Sequence, residues 1–169
     1  MVKRSLLIFI ITIFFISSVS CNKAKNNNSN FKSEGGEAIF TLWIYPIGTL
    51  SETYQISLFE NNIMRVEMGD RDENNFSDPT TLKKIDEKDD VKLSDENYNK
   101  IIQMIDNIYQ NDDMKTDTTT VLDVWMIKFS YKDKNIIQPC YEYTSHELED
   151  FYNFLIGLSP IKIDMRGFA

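Results

Sequence analysis

Two side chains in the C-terminal third of the chain have the chemistry of a nucleophile and its base. Cys140 and His146 stand six positions apart, and a thiolate beside an imidazole can attack an electrophilic carbon. The alternating pattern places Cys140 inside a strand rather than on an exposed turn, and no third residue is apparent that would orient the imidazole. We therefore keep a thiol-dependent hydrolase or transferase using Cys140 and His146 as the alternative, and we assign no catalytic residue.

Two acidic segments are the candidates for a cation site. Residues 70–75 (DRDENN) begin like a calcium-binding loop, D-x-D-x-N. Asn75 stands where such a loop has glycine, and Thr81 stands where it has the bidentate glutamate. The second segment lacks ligand spacing altogether and contains Asp112, Asp113 and Asp117. We expect both segments to be solvated loops, and we predict no metal site and no cofactor.

The N-terminus carries the pattern of a secretory signal. Lys3 and Arg4 precede an uncharged apolar run at residues 6–16, and small residues then lead into Cys21. The apolar run is shorter than the ~20 residues that a membrane-spanning helix needs. This order of charged, apolar and small residues indicates export from the cytoplasm.

Residues 18–21 (SVSC) resemble the lipobox of bacterial lipoproteins, with Ser18 standing where the family usually has an aliphatic residue. The resemblance implies cleavage before Cys21, a diacylglyceryl group on its thiol and acylation of the new amino terminus. Two or more acyl chains anchor a protein durably in a bilayer. The resemblance also favours the outer membrane, in a cell that has one, because Asn22 is not the aspartate that can mark inner-membrane retention. A secretory signal without lipid and an uncleaved signal anchor are the alternatives.

These patterns divide the chain into a signal peptide at 1–20, a lipid-anchored tether at 21–37 and a single domain at 38–169. Residues 22–37 are too polar to bury the surface that would offset their ordering entropy. Removing the signal removes two positive charges and changes the formal net charge from −8 to −10. An acidic domain lacks the basic surface that nucleic acid requires, which argues against a nucleic-acid partner.

The domain shows strand and helix patterns in the order β-ββ-α-ββ-α. Apolar residues alternate across 53–68, which predicts a half-buried antiparallel hairpin. They recur at helical spacing after Ser94 and after the capping box that begins at Thr144, which predicts two amphipathic helices. Further strands are predicted at 39–45, 121–131 and 136–143, with another conceivable at 161–165. The fold class is therefore α+β, a two-layer sandwich of a four- to six-stranded antiparallel sheet and two helices.

The connection at 69–93 is long, polar and acidic, and it is predicted to be irregular apart from a short edge strand at 81–85. Pro139 lacks an amide proton, so the strand at 136–143 is expected at an edge or a bulge.

Facing side chains predict the register of both hairpins. In the first, Leu58 shares a face with Met64 if Phe59 opposes Ile63, which leaves a three-residue loop that ends in Asn62. In the second, the same argument pairs Tyr131 with Ile137 and leaves a loop at 133–135. Trp125 would then face Tyr143, and Cys140 would lie on the opposite side of the sheet.

An aromatic face along the Trp125 strand would be a platform for a peptide or a glycan if no helix covered it. The function predicted from sequence is accordingly a lipid-anchored cell-envelope protein with a non-enzymatic binding or accessory domain. Its expected partners are the bilayer, through acylated Cys21, and a protein or small ligand.

Overall fold

The computed structural model of the protein describes residues 36–50, 52–75, 78–112, 114, 116, 124–140 and 145–165, and in that part of the chain six strands form one antiparallel sheet. The strands are β1 Phe40–Pro46, β2 Thr53–Leu58, β3 Ile63–Arg71, β4 Leu82–Lys92, β5 Trp125–Tyr131 and β6 Lys134–Pro139. Their spatial order is β4-β3-β2-β1-β5-β6. The helices are α1 Asp95–Gln110 and α2 His146–Leu158. The predicted α+β fold is confirmed.

One face of the sheet packs against both helices. Successive side chains of a strand point to opposite faces, so Phe40 of β1 and Phe129 of β5 reach the same core. Their rings lie 5.2 and 6.0 Å from that of Phe151 in α2, measured between ring centroids. Helix α1 adds three fully buried isoleucines, Ile101, Ile105 and Ile108. The main hydrophobic core therefore lies between the sheet and the two helices.

Helix α1 begins where the sequence predicts it. The Ser94 side chain accepts a hydrogen bond from the backbone N–H of Asn97 at 3.2 Å, which satisfies one free amide of the first turn. At the other end, the Lys134 ammonium donates to the backbone carbonyls of Ile108, Tyr109 and Asn111, at 3.0, 3.0 and 2.6 Å. A cation at this end also complements the helix dipole.

Helix α2 is also confirmed, with one difference at its start. Its N-cap is Ser145, whereas the predicted cap, Thr144, lies outside the described residues. The predicted apolar stripe is buried and consists of Leu148, Phe151, Tyr152 and Leu155.

The predicted register of the first hairpin is confirmed. Leu58 opposes Met64, and the Phe59 amide donates to the Ile63 carbonyl at 2.9 Å. Asn62 ends the three-residue loop with a φ of 60°, in the left-handed region that asparagine tolerates.

The predicted register of the second hairpin is wrong by three residues. Tyr131 opposes Lys134 rather than Ile137, and the loop contains only two residues, of which Lys132 has a φ of 53°. Two-residue turns with positive φ match the twist of paired strands. Because the shift is odd, it moves β6 side chains to the other face, and Cys140 lies on the side of Trp125 instead of opposite it. The expected edge position of this strand is confirmed, since β6 ends the sheet.

Strand β4 corrects the prediction that residues 69–93 are mainly irregular. It has eleven residues, begins at Leu82 within the predicted short strand at 81–85 and continues to Lys92. The Arg65 guanidinium of β3 forms two hydrogen bonds with the Asp90 carboxylate, at 2.8 and 3.0 Å, and Lys88 pairs with Glu67 at 2.6 Å. Charged side chains on an exposed edge strand leave no apolar alternation for a sequence pattern to detect.

The predicted strand at 161–165 is absent, although those residues are all described. Ile161 instead packs into the main core, and the Asp164 amide donates to the Tyr54 hydroxyl at 3.3 Å. This tail therefore closes the core without joining the sheet.

Candidate functional site

The structure does not give the sequence-predicted thiol–imidazole pair a shared site. Cys140 is 3% exposed and packs in the main core, and burial raises the pKa of its thiol above the ordinary value. The side chain of His146 is 98% exposed, on the first residue of α2, with its Nδ1 atom 3.9 Å from a carboxylate oxygen of Glu149. A buried, protonated thiol is a poor nucleophile, so the geometry works against the thiol-dependent alternative.

The calcium-like segment forms a short 3₁₀ turn, Glu73–Asn75, after β3. One carboxylate oxygen of Asp72 accepts hydrogen bonds from the backbone and side-chain amides of Asn74, at 3.0 and 2.8 Å. Among the described residues, no group of three or more histidine, cysteine, aspartate and glutamate side chains could hold a metal ion. Asp113 and Asp117 of the second acidic segment lie outside the described residues, as does Cys21.

The predicted aromatic platform on β5 is core, because the helices lie on that face of the sheet. Trp125 is fully buried in the main core, and its ring lies 6.2 Å from that of Tyr54. The opposite side, which we call the helix-free face, carries a second apolar cluster made of Trp43, Tyr45 and Met126. Each of these side chains is less than 5% exposed. The aromatic side chains of both sheet faces in these clusters are therefore buried, and neither forms an exposed platform.

Residues 78–82, which we call the strap, cover part of this second cluster. The Lys128 ammonium, on the helix-free face of β5, contacts a carboxylate oxygen of Asp78 at 2.5 Å and the carbonyl oxygen of Pro79 at 3.0 Å. Lys128 is only 7% exposed. Leu82, at the end of the strap, packs against the apolar cluster. The strap is thus held by its contacts with one buried cation and by one apolar side chain.

A cleft of about 840 Å³ lies beside the strap at the end of the sheet. Its lining comes from the β1–β2 connection and from the paired ends of β3 and β4: Gly48, Thr49, Leu50, Asp70, Arg71, Lys83 and Lys84. Three of these seven residues are basic and one is acidic. The cleft therefore concentrates hydrogen-bond donors on an otherwise acidic chain.

Arg71 is the buried member of the cleft lining and is 1% exposed. Its guanidinium lies 4.6 Å from the centroid of the Tyr45 ring and donates to the carbonyl oxygens of Pro46 and Thr49, at 2.7 and 2.5 Å. Burial lowers the pKa of Arg71 to about 10, which leaves the side chain cationic at neutral pH. Arg71 therefore fixes the β1–β2 connection against the floor of the cleft.

Two irregularities in the β3–β4 pairing shape the cleft. The register shifts between Met68 and Gly69 and again between Asp70 and Arg71. At the first shift the strands come so close that a Cβ on Gly69 would lie 1.9 Å from the carbonyl oxygen of Lys84. Bulges of this kind re-aim side chains at the edges of sheets, and here they bring Arg71 and Lys84 to one cleft.

The rim of the cleft carries two exposed lysines that can contact a ligand. Lys83 and Lys84 at its rim form ion pairs with Glu73 at 3.8 Å and with Asp86 at 2.5 Å, and both lysines remain more than 60% exposed. Their ammonium groups can donate to an acidic or carbonyl-bearing ligand. Sequence analysis missed Arg71 and Lys128, because a buried cation has no pattern that distinguishes it from a surface one.

Comparison with known proteins adds no relative: no family model matches the chain, and neither the curated proteins nor the solved structures searched gave a match. In the described part of the chain, neither helix is both long enough and apolar enough to cross a membrane.

Proposed function

We propose that this chain is a lipid-anchored protein of the bacterial cell envelope that displays a non-enzymatic binding or accessory domain. The anchor is supported by the sequence alone: Lys3 and Arg4, the apolar run at 6–16 and the SVSC segment that ends in Cys21. Acyl chains on Cys21 would hold the protein on the bilayer, on the outer membrane in a cell that has one.

The binding role is carried by one observation, the basic cleft around Arg71 on the helix-free face. Concave sites with a few convergent polar groups are the usual places for ligands. The cleft lies on the side of the sheet that neither helix covers, and it contains a buried cation with two exposed lysines at its rim. The burial of Cys140 supports binding over thiol-dependent catalysis.

Replacing Cys21 with serine tests the anchor. Cys21→Ser should leave an uncleaved precursor or release a soluble product, because the thiol that receives the diacylglyceryl group is gone. Membrane fractionation and the intact mass of the N-terminal fragment measure both outcomes. Ser20→Ala is the matched control, since alanine also fits the family pattern, and it should be processed and anchored as before. A Cys21→Ser protein that is processed and membrane-bound like the parent would refute lipidation.

Crosslinking from two faces of the anchored protein tests the binding role. A photo-crosslinking residue in place of Lys84 sits at the rim of the cleft, whereas the same residue in place of Asn99 sits on the exposed side of α1. We expect a discrete adduct from position 84 and none from position 99. Equal adducts at both positions, or none at position 84, would contradict a binding site on the helix-free face.

A further inference from the structure

We draw no further inference here: the strongest candidate, the cleft at the paired ends of β3 and β4, belongs to the site already described, and both lysines at its rim already contact carboxylates of the chain itself, so that nothing in the structure shows which class of ligand would bind there.

Discussion

Gly69 allows the one backbone approach on which the cleft depends, so replacing it with alanine should both destabilise the protein and disturb the site. The added Cβ would lie 1.9 Å from the Lys84 carbonyl oxygen, and contacts below 3.0 Å are essentially never observed. Strands β3 and β4 must therefore separate by at least about 1.1 Å at this point. The obstructing atom belongs to the backbone, so no side-chain rotation can relieve the contact.

The expected loss of stability follows from two contributions. Overpacking a tight site typically costs about 1–3 kcal/mol, and weakening one ladder hydrogen bond adds about 1 kcal/mol. We expect Gly69→Ala to lower the free energy of unfolding by about 2–4 kcal/mol. Urea denaturation followed by circular dichroism measures this change. Leu82 lies at the displaced end of β4 and packs against the cluster that contains Trp43. Quenching of Trp43 fluorescence by acrylamide should therefore also increase in the folded state.

Gly157→Ala is the matched control. A Cβ on Gly157 meets nothing within 4 Å, and the residue lies inside α2. Alanine favours a helix over glycine by about 1 kcal/mol, so this substitution should stabilise the protein. If Gly69→Ala were as stable as the parent chain, or if both alanine variants shifted stability in the same direction, the reasoning from the β3–β4 approach would be refuted.

Two further predictions concern the buried thiol and the tether. In a Cys21→Ser background the remaining thiol is Cys140. Because this residue is 3% exposed, its thiol should react with a disulfide reagent at least a hundredfold more slowly in the folded chain than in urea. A fast reaction in the folded state would show that the thiol is accessible. Burial raises the pKa of this thiol above its ordinary value of 9.0, so the folded state retains a proton that the unfolded chain releases, and the resulting stability is complete below about pH 9 and declines as pH rises. We expect a loss of about 1 kcal/mol between pH 8 and pH 10 that Cys140→Ala abolishes. Arg71, whose pKa is lowered to about 10, acts in the opposite direction near the upper end of this window, and it does so equally in both proteins. Limited proteolysis should cut within residues 22–37 and leave a stable fragment that begins near Ala38, as judged by mass spectrometry, and protection of that segment would contradict the tether.

The sequence by itself determined the elements whose signals are local. Helix α1 follows from a capping serine and isoleucines at helical spacing, all within one continuous segment. The first hairpin follows from alternation on two adjacent strands, because only one register places Leu58 and Met64 on the same face. The fold class follows in turn from the order of such elements. Each of these signals is complete before any distant part of the chain is considered.

In the second hairpin, local sequence patterns do not specify the register of the two strands. Strand β5 is apolar on both faces at its start, so alternation alone accepts more than one register with β6. The two-residue turn at Lys132 and the burial of Ile136 against the core select the observed one. As a consequence, Cys140 lies on the helix-covered face of the sheet rather than on the opposite face, and it is buried in the main core.

Only the tertiary structure decided the site. Arg71, Lys128 and the residues of the strap look like ordinary surface positions in the sequence, since charged and polar side chains are usually solvated. They become a site because the β3–β4 pairing bends at Gly69 and because Asp78 lies fifty positions from the lysine it contacts. Such contacts depend on where distant strands meet, and a buried charge is set by its three-dimensional neighbours rather than by its neighbours along the chain.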